Sequence, residues 1–154
     1  MARATRSDFN QAMIAMERGE FEHAIALFSR AIDDGDQPAL STSKRGVCRL
    51  RLGDRIGAAK DFRAALERDG ACVSALVNLG NLALEANMLE EAQTRYEAAL
   101  RIDDGYAHAH HNLAIVYRRL GRIGESVREL RRAAVLDAHP RKIVERLRRL
   151  WRRR

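Results

Sequence analysis

Apolar residues recur along the chain with the period of an α-helix, and glycine, asparagine or aspartate interrupts this pattern at regular intervals. Residues 73–86, VSALVNLGNLALEA, predict one helix, and residues 89–102, LEEAQTRYEAALRI, predict a second. Asn87 separates them, where a residue that tolerates the left-handed conformation is needed. Asp103-Asp104-Gly105 then predicts a turn. The pattern therefore indicates a helical hairpin.

This hairpin pattern recurs with a step of 34 residues, over units 5–38, 39–72, 73–106 and 107–140. A fixed period of this length indicates stacked structural repeats. Small residues at one place, Gly46, Gly80 and Ala114, lie where the two helices of a unit are expected to cross. Five further sets follow the same step: Gly19, Gly53, Asn87 and Gly121; Ala24, Ala58, Ala92 and Ser126; Phe28, Phe62, Tyr96 and Leu130; Ala31, Ala65, Ala99 and Ala133; and Asp69, Asp103 and Asp137.

The repeat resembles the tetratricopeptide repeat (TPR) family in its period and in residues of the last two units. The resemblance implies an all-α, right-handed superhelical α-solenoid of four TPR helix pairs, forming a single domain over residues 1–154, with a concave groove lined by the first helices. A basic capping helix is expected over residues 141–154, because an exposed end of a repeat array needs a cap. The matching residues are Asn78-Leu79-Gly80, Ala92, Tyr96, Ala99 and Asp103 in the third unit, and Asn112-Leu113-Ala114, Tyr117, Gly121 and Ala133 in the fourth; the apolar face of the cap is Ile143, Val144, Leu147, Leu150 and Trp151.

Composition and charge narrow the possible protein classes. No apolar run approaches the ~18 residues of a membrane span, and the first residues lack the apolar core of a signal peptide, so a cytoplasmic location is expected. Cys48 and Cys72 lie far apart and predict two buried free thiols. The net charge is +7, but residues 141–154 hold eight of the 28 Lys and Arg and one of the 21 Asp and Glu. The body of the chain is therefore neutral.

The resemblance also implies which side chains face the groove. The sixth place of each unit is Asn10, Lys44, Asn78 or Asn112. Because a side-chain amide both donates and accepts a hydrogen bond, such asparagines are able to hold an extended peptide by its backbone. The alternative is that they only solvate a surface. The residues expected to bind a peptide in the groove are Asn10, Lys44, Asn78, Asn81, His108, His111, Asn112, Arg118 and Arg119.

Three histidines within residues 107–112, AHAHHN, raise the question of a metal site. His108 and His111 are expected to share the groove face, whereas His110 is expected to point into the packing between helices. Zinc needs three or four protein ligands, and the facing residues of the third unit supply no Cys, Asp or Glu, so we expect no metal and no other cofactor. The two groove histidines instead favour acidic ligands below neutral pH.

No catalytic motif is present, so the sequence predicts a non-enzymatic adaptor or scaffold that binds a peptide or protein segment in the groove. The carboxylate clamp of TPR co-chaperones is not expected, because Ser43 and Val47 replace its opening residues. One alternative is binding of nucleic acid or an anionic membrane surface through Arg141–Arg154, although few aromatic residues there serve base stacking. Another is self-association through the exposed first unit.

Overall fold

The computed structural model describes residues 7–138, and within this range the chain folds into eight helices. The predicted all-helical organisation is confirmed, and the third pair matches its predicted bounds within one residue. The predicted single domain over residues 1–154 remains a prediction, and the capping helix expected over residues 141–154 lies outside the described residues. The helices are α1 (Asp8–Glu17), α2 (Phe21–Asp33), α3 (Pro38–Arg51), α4 (Arg55–Arg68), α5 (Val73–Glu85), α6 (Leu89–Ile102), α7 (Ala107–Arg119) and α8 (Ile123–Asp137).

The turn inside each helix pair uses one residue in the left-handed region. Gly19, Gly53 and Gly121 have φ angles of 78°, 86° and 75°, and Asn87, at the same place of the third pair, has a φ of 58°. In each turn the next N–H donates to the carbonyl five residues earlier, as in the bond of 2.8 Å from Met88 to Ala83. The predicted conformation at Asn87 is confirmed.

Two compact units divide the chain after Leu82, and each is described by itself. Unit 1 contains α1–α4 and α5 up to Leu82. Its core combines small residues of the crossing helices with fully buried phenylalanines, of which Phe28 packs edge to face on Phe9 at a centroid distance of 5.9 Å. Cys48 and Cys72 are buried free thiols, as predicted.

A buried carboxylate adds a polar element to the unit 1 core. Asp61 on α4 accepts hydrogen bonds from Nε and Nη2 of Arg45 at 3.0 and 2.8 Å, and it lies 2.9 Å from Nη1 of Arg49. Nη1 of Arg45 also donates to the Ser29 hydroxyl on α2 at 3.0 Å. Because a buried charge is costly without partners, the two arginines hold α3 and α4 in one relative position.

Unit 2 contains the end of α5 and the helices α6, α7 and α8. Ala92, Tyr96 and Ala99 of α6 are fully buried. The Ser126 hydroxyl on α8 donates to the Ala114 carbonyl on α7 at 2.8 Å, inside the contact between these two helices. Within residues 7–138, no helix has the length and apolar character needed to cross a membrane.

Candidate functional site

In unit 1, the predicted binding residues lie on three successive first helices. Asn10 on α1 is exposed, Lys44 on α3 is half-buried, and Asn78 and Asn81 on α5 are half-buried. They alternate with half-buried apolar residues such as Val47. The first helices of unit 1 therefore carry polar groups at a surface that also offers apolar contact.

The Asn78 amide has a partner within its own helix. Its Nδ2 donates to the Ser74 carbonyl at 2.8 Å. This bond uses one of the four hydrogen-bonding sites of the amide, so Asn78 retains sites for a ligand but in a fixed orientation. Ser43, at the opening place of the co-chaperone clamp, is fully buried and donates to the Ser74 hydroxyl at 3.0 Å.

In unit 2, α7 presents a basic surface. His108, His111 and Arg118 are exposed and follow one another at helical spacing. The sequence of α7, AHAHHNLAIVYRR, contains no aspartate or glutamate. This part of the surface is chemically suited to contacts with acidic groups.

Two other predicted binding residues of α7 make structural contacts that their place in the repeat did not indicate. Asn112 is half-buried and forms a side-chain hydrogen bond with Tyr96. Burial raises the pKa of the Tyr96 hydroxyl far above its ordinary value, and the bond with Asn112 opposes that rise. Arg119 donates through Nη1 to the Leu84 carbonyl at 3.3 Å and to Oδ1 of Asn87 at 3.4 Å. The Arg119 side chain thus satisfies groups at the C-terminal end of α5.

His110 is buried between α7 and α8, as expected from its place in the repeat. Its Nε2 lies 2.9 Å from the Asp104 carbonyl, and its Nδ1 lies 2.6 Å from Oε2 of Glu129. Because a carbonyl oxygen only accepts, Nε2 is assigned the hydrogen, and Nδ1 faces the Glu129 carboxyl group. Among residues 7–138, no group of three or more His, Cys, Asp or Glu side chains is placed to hold a metal ion.

A second polar network in unit 2 was not predicted from the sequence. The Tyr117 hydroxyl donates to Oε1 of Glu97 at 2.9 Å, and Nε2 of Gln93 donates to the same oxygen at 2.8 Å. The Arg122 guanidinium lies 4.5 Å from the centre of the Tyr117 ring. Burial, together with the Glu97 carboxylate, raises the pKa of Tyr117 to about 12. The sequence signal that was missed is the spacing of Gln93 and Glu97, four residues apart on one helix.

This network and the His110 contacts meet in one cavity. The cavity has a volume of about 300 Å³ and is lined by α6, α7, α8 and the turn at Asp104. Glu97, His110 and Glu129 are part of its lining and already have partners from the same unit. The polar groups that line the cavity therefore connect the helices of unit 2 to one another.

Comparison with known proteins agrees with this architecture. The profile of the tetratricopeptide repeat family matches residues 9–70, 45–107 and 77–142. Among solved structures, MamA is similar with a TM-score of 0.71 and 17% identity, over 84% of this chain and 76% of that chain. YrrB, described as a TPR protein with an unusual peptide-binding site, is similar with a TM-score of 0.65 and 17% identity, over 92% of this chain and 73% of that chain.

Two further relatives are described as a peptide-binding domain and as an enzyme. The first TPR of Spaghetti (RPAP3), bound to the HSP90 peptide SRMEEVD, is similar with a TM-score of 0.66 and 19% identity, over 74% of this chain and 90% of that chain. A probable UDP-N-acetylglucosamine–peptide N-acetylglucosaminyltransferase SPINDLY of Solanum lycopersicum is 30% identical over 105 residues, which are 68% of this chain. The chain spans only 11% of the length of that protein. The helical hairpins, their left-handed turns and the matching family profile together show that the chain belongs to the tetratricopeptide repeat family.

Proposed function

We propose that the chain is a non-enzymatic adaptor that binds an extended protein segment along the first helices of its repeats. The observation that carries this proposal is the row of Asn10, Lys44 and Asn78, which hold one place on α1, α3 and α5 and remain at least partly exposed. Polar groups repeated at this spacing suit the repeated polar groups of an extended backbone. YrrB, described as having an unusual peptide-binding site, and the Spaghetti repeat domain bound to an HSP90 peptide have similar folds and support the same proposal.

The ligand of unit 2 is proposed to be acidic. His108, His111 and Arg118 give α7 exposed nitrogen donors that are able to pair with carboxylates. The exposed acidic residues nearest in sequence before α7 are Asp103 and Asp104, and Asp104 already pairs with Arg132 at 2.7 Å. An acidic ligand segment is therefore favoured, and Arg119 supports this surface through its hydrogen bonds to the end of α5.

No catalytic role is included in the proposal. The similarity to SPINDLY is confined to 105 residues, which are 11% of that much longer protein. Acceptor and donor groups in the described cavity of unit 2 are engaged in contacts between helices. The repeats are thus proposed to act by binding alone.

Peptide selection followed by affinity measurement tests the proposal. A phage-displayed library of random peptides is panned against the full chain, and the selected peptides are measured by fluorescence anisotropy. Lys44→Ala combined with Asn78→Ala is expected to weaken binding about tenfold or more, because two hydrogen bonds of about 1 kcal/mol each are lost. Lys60→Ala is the matched control, since Lys60 is exposed on a second helix, α4.

The test and control variants distinguish a ligand on the first helices from a ligand on the second helices. Equal affinity of the double variant and the parent chain, with a loss in Lys60→Ala, would place the ligand on the second helices and end the proposal. Far-ultraviolet circular dichroism of each variant reports whether the helices remain intact.

The alternative site at Arg141–Arg154 lies outside the described residues and remains a prediction from the sequence. A fluorescent single-stranded DNA oligonucleotide and vesicles containing phosphatidylserine are suitable probes. Binding through phosphates falls steeply as salt rises, whereas contacts with amides and apolar groups depend on salt much less. Salt titration of each ligand therefore separates the two functions.

A further inference from the structure

The turn of the second helix pair exposes an isoleucine that the fold does not require. In the first and third pairs, the second helix begins with a half-buried apolar residue followed by an exposed glutamate, namely Phe21-Glu22 and Leu89-Glu90. The second pair reverses this order with Arg55 and Ile56, and Ile56 is 80% exposed. Because the same place accepts glutamate in two other pairs, packing does not explain Ile56. Such a departure from the pattern of the chain's own repeat indicates a role at the surface.

Ile56 belongs to a basic segment, which we define as residues 51–60. This segment has three basic residues against one acidic residue, a net charge of +2. Leu52 is 44% exposed, and Lys60 follows Ile56 by one helical turn, so the last two lie on one side of α4. The basic segment therefore combines two exposed apolar side chains with positive charge. Its exposed charged residues are Arg51, Asp54, Arg55 and Lys60.

The turn of the first helix pair carries the opposite charge. Residues 17–26, the acidic segment, hold the same places of the repeat and have three glutamates against one arginine, a net charge of −2. The two segments are neighbours in unit 1, because the Arg51 guanidinium lies 4.8 Å from the centre of the Phe21 ring. The exposed charged residues of the acidic segment are Glu17, Arg18, Glu20 and Glu22.

A surface with both signs of charge side by side is complementary to a second copy of itself. Rotation by 180° about an axis between the two segments places the acidic segment of each copy against the basic segment of the other, which is an isologous contact. A lipid surface or a nucleic acid, with charge of one sign, would be attracted by one segment and repelled by its neighbour. We propose that unit 1 mediates a symmetric dimer, in which the acidic segment of each chain covers Leu52 and Ile56 of the other.

The proposed contact lies apart from the residues that are proposed to bind a peptide. Asn10 and Lys44 each come seven residues before the acidic and the basic segment, about 10 Å along their helices. A dimer therefore presents two peptide surfaces, and a ligand with two suitable segments gains from their high effective concentration. Because only the turns and the starts of the second helices take part, the contact is small, and the dimer is expected to form reversibly as concentration rises.

Charge reversal in two separate chains tests the contact. Glu20→Lys with Glu22→Lys makes both segments basic, whereas Arg55→Glu with Lys60→Glu makes both segments acidic. Each variant alone is expected to be monomeric in sedimentation velocity at concentrations where the parent dimerises, because segments of like charge then face each other. An equal mixture of the two variants is expected to dimerise again, since every segment then faces the opposite charge.

Ile56→Glu tests the apolar part of the contact. It installs the residue found at this place in the first and third pairs, so the fold is expected to tolerate it. Dimerisation should weaken about a hundredfold, because the symmetric contact contains the substitution twice, with about tenfold for each. Ile102→Glu is the matched control, since Ile102 is 47% exposed at the end of α6 and should not affect dimerisation. Far-ultraviolet circular dichroism verifies the helices of every variant.

Three results would overturn the proposal. A parent chain that stays monomeric up to about 1 mM, the concentration of a very weak complex, would remove the dimer. Charge-reversed variants that still dimerise alone would assign the contact to another surface, such as the exposed face of the first helix pair. A mixture that stays monomeric would exclude the symmetric pairing. Failure of peptide binding would leave these sedimentation results unchanged, so the two proposals are tested separately.

Discussion

The approach of α3 to α4 depends on the absence of a side chain at Gly46. A Cβ atom placed on Gly46 would lie 2.8 Å from Cε1 of Phe62 and 3.1 Å from Cβ of Asp61. Neither neighbour is able to retreat easily, because Phe62 is fully buried and Asp61 is held by two arginines. Gly46→Ala is therefore expected to destabilise the protein, although alanine is the better helix former.

The change in the free energy of unfolding that Gly46→Ala causes follows from two opposing contributions. Overpacking a filled core costs about 1–3 kcal/mol, whereas replacing glycine by alanine inside a helix favours folding by about 1 kcal/mol. The steric contribution is expected near the middle of its range, because the close contacts involve only the edge of the Phe62 ring and Cβ of Asp61. The expected net loss in the free energy of unfolding is about 1 kcal/mol.

The repeat itself suggests a compensating change. Ala114 holds the place of Gly46 in the last helix pair, where Leu130 replaces Phe62. We therefore expect Phe62→Leu to cost less in the Gly46→Ala chain than in the parent, with a coupling of about 1 kcal/mol in the double-mutant cycle. Smaller volume at residue 62 leaves room for the added methyl group.

Urea unfolding followed by circular dichroism at 222 nm measures all four proteins, with free energies from linear extrapolation. Gly124→Ala in α8 is the matched control, because a Cβ there meets no heavy atom within 4 Å; it should be neutral or slightly stabilising. If Gly46→Ala raised stability as much as Gly124→Ala, the claimed close approach of α3 and α4 would be incorrect.

Two further predictions concern buried ionisable groups. Leucine occurs at the place of His110 one repeat earlier, as Leu76. His110→Leu should lower the free energy of unfolding by about 3 kcal/mol, because Glu129 loses its partner. Adding Glu129→Leu should restore most of that loss, and urea unfolding that shows additive losses would refute the pairing. Burial raises the pKa of the Cys48 thiol from 9.0 to about 11, so the stability it contributes is complete below pH 9 and is lost as pH rises to 11. The parent should therefore lose up to about 3 kcal/mol more than Cys48→Ala across this interval, and parallel stability curves would contradict the assignment.

Those features that depend on local geometry were predictable from the sequence. A left-handed turn residue requires glycine or asparagine, so Gly53 and Asn87 marked the turns inside the helix pairs. The helical period then placed α6 at Leu89–Ile102 as predicted. The two cysteines lie far apart in sequence, and both are buried free thiols, as this separation predicted.

Contacts between different helices were not predictable in the same way. The place of Arg119 in the repeat suggested a groove residue, but its partners at the end of α5 come from residues distant in sequence. Asn112 likewise meets Tyr96 of the preceding pair. Helix packing sets the distances that decide which polar side chain has an internal partner. A single sequence does not contain those distances.

These internal partners sharpen the distinction between supporting and ligand-binding residues. A side chain that already holds a helix end or a buried hydroxyl loses that contact when it turns to a ligand, so its net gain in binding energy is reduced. Asn112 and Arg119 are in this position. His108, His111 and Arg118 are exposed on α7 and have no such contact to exchange within the described residues. The binding energy of unit 2 is therefore expected to arise mainly from these three residues, with Asn112 and Arg119 maintaining the surface that presents them.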